Sequence, residues 1–156
     1  MHTLAWSRSL TPELAATHQA SAVSLEQLLA QSDIVSLHVP LTADSRKLVG
    51  ARELGLMKTG ALLVNTSRGP LVDEDALLTE LESGRIRAAL DVFDVEPLPA
   101  DHRLRQLPNV LLCPHLGFST QDCFAAFYAD CIENICAYLD GKPIRVLNEQ
   151  ALTVSR

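Results

Sequence analysis

Three short segments of this chain set ionisable side chains beside residues that stiffen the backbone. Asn65-Thr-Ser-Arg-Gly-Pro carries Arg68, Asp91-Val-Phe-Asp-Val-Glu-Pro carries Asp91 and Glu96, and Cys113-Pro-His-Leu-Gly carries His115. Taken singly, Arg68 reads as a surface cation, Glu96 as a solvated loop carboxylate and His115 as a capping residue. Taken together they are a cation, a carboxylate and an imidazole, framed by Gly69-Pro70, Pro97 and Pro114. Proline and Gly-Pro pairs hold a loop in few conformations. Three stiffened loops, each loaded with an ionisable group, point to groups that are used together.

The elements that must position these loops follow from the period of the apolar residues. Ser24-Leu-Glu-Gln-Leu-Leu reads as a helix start, with Ser24 as N-cap and Gln27 completing a capping box. Ile34 to Val39 predicts a strand stopped by Pro40, and Ala61 to Asn65 one buried on both faces, as in parallel sheets. A short helix is expected around Ala51 to Met57, with Gly60 beyond it. Asp73 to Ser83 places Ala76, Leu77 and Leu81 at helical spacing, with Gly84 at the C′ position. Thr3 to Trp6, Arg87 to Phe93 and Val110 to Cys113 complete the expected strands, and Thr120 to Leu139 is a long helix closed by Gly141. Alternating strand and helix is the order of βαβ units, so the fold class is α/β with a parallel sheet flanked by helices. In such sheets ligands bind beyond the carboxyl ends of the strands, where the three loaded loops fall.

Composition narrows the function classes. The 156 residues have room for one domain with a substantial core, and 47% hydrophobic with 21% charged residues suits a globular chain. No apolar run approaches the roughly 20 residues of a membrane span. A net charge of −6 opposes partners bound through phosphate neutralisation, so nucleic acid is not expected. Cys113, Cys123, Cys131 and Cys136 form no Cys-x-x-Cys pair and no zinc-ligand spacing with a histidine. They read as reduced thiols serving as small hydrophobes. With no secretion signal after Met1, that reading suggests a cytoplasmic setting without a metal.

Long stretches of the chain resemble a known family. Leu28-Leu-Ala-Gln-Ser-Asp-Ile-Val-Ser-Leu-His-Val-Pro-Leu-Thr, Leu48-Val-Gly, Met57-Lys-Thr-Gly-Ala-Leu-Leu-Val-Asn-Thr-Ser-Arg-Gly-Pro-Leu-Val-Asp, Leu90-Asp-Val-Phe-Asp-Val-Glu-Pro-Leu-Pro and Pro114-His-Leu-Gly are similar to the nucleotide-binding domain of the D-isomer-specific 2-hydroxyacid dehydrogenases. The resemblance runs from Trp6 to Asn148. It implies a doubly wound Rossmann-type sheet, NAD or NADP as cofactor, and a small 2-oxo or 2-hydroxy acid as substrate. Arg68 matches the arginine that grips the substrate carboxylate and polarises the 2-keto oxygen. His115 matches the acid/base that exchanges a proton with that oxygen, and Glu96 the carboxylate that orients the imidazole. Asp91 matches the residue that bonds the nicotinamide carboxamide. Val39, Thr66 and Gly117 match loop positions that line the cofactor. The family commonly forms dimers through this domain, so the apolar side of the helix from Phe124 to Leu139 is a candidate homodimer contact. Core packing accounts for that side equally well.

Two features depart from the family pattern. No Gly-x-Gly-x-x-Gly turn occurs in the sequence, and Trp6 falls where the second Rossmann strand would end. Residues 1–148 are therefore expected to form a partial cofactor domain, an incomplete doubly wound sheet including the helix over 120–139, with a tail over 149–156. In the strand order 3-2-1-4-5-6 the missing strand is central, leaving two edges that must close on each other or stay exposed. The alternative to an oxidoreductase is a catalytically silent truncated product, surviving as an interaction module or without function. At the end of the first strand the chain reads Trp6-Ser7-Arg8-Ser9 where NAD-preferring folds place an acidic residue. Ser7 with Arg8 suits a 2′-phosphate, as in NADP; otherwise Arg8 faces water.

Overall fold

A computed structural model describes residues 1–148 and Gln150. The 149–156 tail, Gln150 apart, lies outside the described residues. The chain divides into two units, Met1–Leu116 and Gly117–Arg156. In the first unit the order is β1 (Leu4–Ala5), α1 (Pro12–Thr17), β2 (Ser21–Ala22), α2 (Leu25–Gln31), β3 (Ile34–Leu37), α3 (Ala51–Leu56), β4 (Leu62–Asn65), α4 (Glu74–Glu82), β5 (Arg87–Leu90) and β6 (Val110–Leu112). Short 3₁₀ turns occupy Gly69–Leu71 and Arg103–Gln106. The second unit holds α5 (Gln121–Leu139).

Every ladder is parallel. β3, β4, β5 and β6 form one sheet in that order, and β1 pairs with β2 in a separate one. The register sets Leu37 beside Asn65, Asn65 beside Leu90, and Leu90 beside Leu112. The four carboxyl ends are thus level along one edge of the sheet. The two edges expected to be left open by a missing central strand do not pair with each other. They remain the ends of two distinct sheets.

Several strands end earlier at their carboxyl ends than the sequence predicts. The expected strand over Arg87 to Phe93 stops at Leu90, because from Asp91 onward the backbone turns into a loop held by side chains. Likewise β3 stops at Leu37, and β1 covers only Leu4–Ala5. Two elements had no clear sequence signal. Helix α1 is only one and a half turns, capped by Thr11 accepting from the Leu14 N–H with Pro12 at its first turn, and β2 is two residues long. Ser24 caps α2 with the full reciprocal box to Gln27, and Asp73 caps α4 by accepting from the Ala76 N–H. Gly84 takes φ +72° just past α4, a left-handed conformation that glycine adopts without penalty.

One hydrophobic core lies in the first unit. Leu29 of α2, Leu54 of α3, and Leu77, Leu78 and Leu81 of α4 join Val35, Leu37, Leu63, Ala88 and Leu90 from the strands in a single buried cluster. Helix α3 packs against both α2 and α4, so these three helices make one layer. The expectation that Ala61 to Asn65 is buried on both faces holds only in part: Leu63 and Asn65 are buried while Leu62 and Val64 are half-buried. Side chains alternate along a strand, and it is the alternate set that meets the helix layer. Ile34 on β3, in the set that does not, is 59% exposed. Helix α5 buries none of its residues, so its apolar side is not part of a core among the described residues.

At Gly69 the loop after β4 touches the loop after β5. A Cβ there would lie 2.1 Å from the Phe93 carbonyl carbon and 2.6 Å from the Asp94 nitrogen, both backbone atoms that cannot rotate away. Gly69→Ala should therefore destabilise the fold by about 3 kcal/mol or more, since overpacking against backbone finds no relief in a rotamer change. Urea unfolding of the variant beside the parent chain checks this; an unchanged midpoint would show that the two loops can separate.

Candidate active site

The loop after β4 is built around Asn65, which is 1% exposed at the end of an apolar strand. Its Oδ1 accepts from the Ser67 N–H at 3.1 Å, and its Nδ2 donates to the Arg68 carbonyl at 2.9 Å. The Ser67 hydroxyl donates to the Val39 carbonyl at 2.7 Å, tying this loop to the one after β3. Just downstream, the Lys47 and Val49 N–H groups donate to the Pro70 and Leu71 carbonyls, and the Asp73 N–H returns to Val49. Buried polar groups must find partners. Here one asparagine side chain supplies two of them, and the result is a fixed path for the backbone that carries Arg68.

The loop after β5 is organised in the same way. Asp91 is 7% exposed, its N–H donates to the Asn65 carbonyl, and its Oδ1 accepts from the Leu116 N–H at 2.8 Å. Phe93 and Leu98 are buried, and the Phe93 N–H donates to Glu96 Oε1 at 2.9 Å. Arg105 donates to the Leu98 and Pro99 carbonyls from the following turn. The Glu96–Pro97 peptide is cis.

Across the sheet edge, His115 Nδ1 lies 2.6 Å from Glu96 Oε2. Both side chains are roughly one-third exposed, at 39% and 32%. His115 sits at φ +55°, a left-handed conformation uncommon for a residue with a Cβ. The Leu116 N–H bond to Asp91 on one side and the Glu96 bond on the other hold it there, and such strain persists only where surroundings over-determine it. The hydrogen bond to His115 is the main cause holding the Glu96 carboxyl below its ordinary range. The Phe93 N–H and the nearby positive charge of Arg68 act in the same direction, while burial opposes them.

Beside this pair opens a cavity of about 480 Å³ whose walls include Phe93, Leu98, Leu112, Cys113 and His115. A second cavity, of about 190 Å³, lies between the tip of β1 and the loop after β3 and is lined by Ser7, Arg8 and Val39 among others. Thr66 is exposed at the end of β4. Gly117 begins the second unit. The structure thus groups Arg68, Asp91, Glu96 and His115 along one sheet edge, and Ser7, Arg8 and Val39 around one cavity. Among the described residues no group of three or more His, Cys, Asp or Glu side chains could hold a metal ion. All four cysteines are free thiols, in line with the unpaired cysteines expected, but Cys113, Cys131 and Cys136 are exposed and Cys123 half-buried, so they do little as small hydrophobes. Among the described residues no helix is long and apolar enough to cross a membrane.

The residues not singled out from sequence are the supports, Asn65 and Ser67. An amide ending an otherwise apolar run was the available signal for Asn65. Asp44 was also missed: it lines the smaller cavity with Arg8, and 36 positions of sequence separate the two.

The Glu96–His115 bond yields a pH test. A carboxyl whose pKa is lowered on folding stabilises the folded chain above its unfolded value, ordinarily 4.5, and that contribution is lost as pH falls through the lowered value. The stability difference between the parent and Glu96→Gln should therefore be full above the ordinary value of 4.5 and shrink as pH falls from there through the lowered one. Urea midpoints across that window measure it, and a difference independent of pH would remove the bond's contribution to stability.

Comparison with known proteins places this geometry. Residues 1–117 match the D-isomer specific 2-hydroxyacid dehydrogenase, NAD binding domain. The chain is 42% identical over 155 residues to a glyoxylate reductase of Aeropyrum pernix, covering 98% of this chain and 45% of that one. A D-isomer specific 2-hydroxyacid dehydrogenase structure from Xanthobacter autotrophicus Py2 superimposes with a TM-score of 0.79 at 38% identity, covering 92% of this chain and 47% of that one. An acyclic imino acid reductase in complex with NADPH and D-Arg gives a TM-score of 0.71 at 34% identity, covering 93% of this chain and 45% of that one. This chain therefore spans less than half the length of the relatives it matches. With its parallel sheet, its loaded sheet edge and a family match over most of its length, the chain belongs to the D-isomer specific 2-hydroxyacid dehydrogenases, within their NAD binding domain.

Proposed function

We propose that this chain carries the cofactor-binding and proton-transferring half of an NAD(P)-dependent reductase of small 2-oxo acids such as glyoxylate or hydroxypyruvate. The observation that carries the reading is the 2.6 Å contact between His115 Nδ1 and Glu96 Oε2 at the sheet edge reached by Arg68 and Asp91. The residues present suit parts of a dinucleotide. The buried Asp91 carboxylate is an acceptor for an amide at the nicotinamide end. Ser7 and Arg8, with a hydroxyl and a cation, suit the adenosine ribose. Val39 and Thr66 would line the path between. Bound NADH or NADPH supplies the hydride that adds to the carbonyl carbon.

The side chains of this chain do the rest. The Arg68 guanidinium offers a planar pair of donors to the carboxylate of a 2-oxo acid and draws electron density from the adjacent carbonyl. With Nδ1 engaged by Glu96, the proton that His115 gives to the carbonyl oxygen is the one on Nε2. That proton completes the hydroxyl of the 2-hydroxy acid, while the added hydride becomes its new C–H bond. Glu96 fixes the ring and offsets the charge of the imidazolium form. In the oxidative direction the same imidazole takes the hydroxyl proton back.

Joining residues 1–156 to the N-terminal half of the Aeropyrum pernix glyoxylate reductase tests the roles one by one. The fusion should oxidise NADH or NADPH in the presence of glyoxylate or hydroxypyruvate. His115→Ala should slow it by about 10²–10⁴-fold at saturating substrates. Arg68→Lys should raise KM and lower kcat together, because the bidentate fork is lost while the charge is kept. An active fusion whose His115→Ala variant turns over as fast as its parent would end the acid/base assignment.

The partner we assign to α5 is a second copy of this chain. Tyr128 and Ile135 stand seven residues apart, as do Phe124, Cys131 and Tyr138, which makes an apolar seam that an identical helix can match. Tyr128 is 68% and Ile135 59% exposed, and Ile132, four residues after Tyr128 on the same side of the helix, is 62% exposed, so the seam is uncovered among the described residues. Light scattering behind size exclusion should give a dimer for the parent and a monomer for Ile132→Glu with Ile135→Glu. A monomeric parent would overturn the assignment.

A further inference from the structure

At the tip of β1 the sequence places a cation where many dinucleotide-binding folds place an acid, yet the tertiary structure brings an acid to the same spot from another loop. Asp44, which follows β3, meets Arg8 with Oδ2 3.1 Å from the guanidinium Nη1. Both side chains are largely exposed, at 78% and 69%, and both line the 190 Å³ cavity that Trp6, Ser7 and Val39 also border. The loop bearing Asp44 is itself well anchored. The Ser45 hydroxyl donates to the Pro40 carbonyl at 2.7 Å, and the Thr42 N–H donates to Ser45 Oγ at 2.7 Å. Asp44 is thus held at the cavity by its backbone rather than by the ion pair alone.

The geometry points to Asp44 as the residue that sets which nucleotide this cavity accepts, favouring a ribose with a free 2′-hydroxyl over one carrying a 2′-phosphate. The inference rests on the reading of this cavity as the adenosine end of a cofactor site. Physically, the carboxylate acts twice. It offsets the Arg8 charge that would otherwise attract a phosphate, and it repels a phosphate dianion directly, while remaining an acceptor for a hydroxyl donor. An exposed ion pair is individually weak, so Arg8 is not locked out of the cavity by the bond itself. The discrimination comes from the charge of Asp44. Arg8 on its own would read as a 2′-phosphate ligand; paired, it presents almost no net charge.

Trp6 is the only tryptophan of the chain and lies on the cavity wall, so its fluorescence and its indole NMR signal report nucleotide entry without any turnover. The probes are adenosine 5′-monophosphate and adenosine 2′,5′-bisphosphate, titrated into the 156-residue chain at low and high salt. The parent should bind the monophosphate at least as well as the bisphosphate. Asp44→Asn, an isosteric change at an exposed position, should improve bisphosphate affinity by about fivefold and leave the monophosphate unimproved, with the gain fading as salt rises. Arg8→Gln placed on top of Asp44→Asn should abolish the gain. A bisphosphate preference in the parent, or an Asp44→Asn variant with an unchanged or lower bisphosphate affinity, would overturn the role of Asp44. Failure of both nucleotides to perturb Trp6 in the parent would instead overturn the cofactor reading beneath it. Far-ultraviolet circular dichroism superimposable on the parent confirms that each variant is folded.

Discussion

The loop edge that brings Arg68, Asp91, Glu96 and His115 together depends on the in-register parallel pairing of β3 through β6. Because Leu37, Asn65, Leu90 and Leu112 stand side by side, the chain leaves all four strands at the same level and in the same direction. Residues far apart in sequence, Arg68, Glu96 and His115, then need only short loops to meet. A slip of one residue in any ladder would turn the buried set of that strand outward and move its loop along the edge. The core of leucine and alanine side chains under the helix layer is what makes such a slip costly.

The loops themselves are held by polar side chains where regular secondary structure has run out. Asn65 and Asp91 stand next to each other at the ends of neighbouring strands, joined by the Asp91 N–H to Asn65 carbonyl bond. Each uses its side chain to satisfy the backbone of a loop: Asn65 that of Ser67 and Arg68, Asp91 that of Leu116. Both are buried, so loss of these bonds would strand unpaired polar groups away from water. The bareness of Gly69 lets the first of these loops lie directly on the backbone of the second. Arg68 and the Glu96–His115 pair therefore occupy set positions before any ligand arrives, the arrangement that preorganised chemistry requires.

The sheet edge and the smaller cavity differ in electrostatic character. At His115 a partly exposed carboxylate and imidazole are bound closely enough to lower the carboxyl's pKa. At Arg8 the charges of Asp44 and the guanidinium are more exposed and offset one another. The first suits a site that moves a proton and the second a site that sorts ligands by charge. Helix α5 adds an uncovered apolar seam in the second unit.

The local sequence determined the strands, the capped helices and the identity of the family. Alternating apolar periods, the Ser24–Gln27 box and the Gly84 stop are short-range signals whose physics is complete within a few residues. It also determined that Arg68, Glu96 and His115 would fall at carboxyl ends of strands. What it left undecided required distance in space. Helix α1 and strand β2 are too short to show a period. The end of β5 at Leu90 goes with the turn in which the Asp91 side chain accepts from the Leu116 N–H of another loop. The exposure of α5 was undecidable because an apolar stripe is the same whether a core or another molecule covers it. The pairing of Arg8 with Asp44 joins residues 36 positions apart, on loops whose meeting depends on how two separate sheets are placed. Charge at a point is a sum over neighbours in space, and no local stretch of sequence contains that sum.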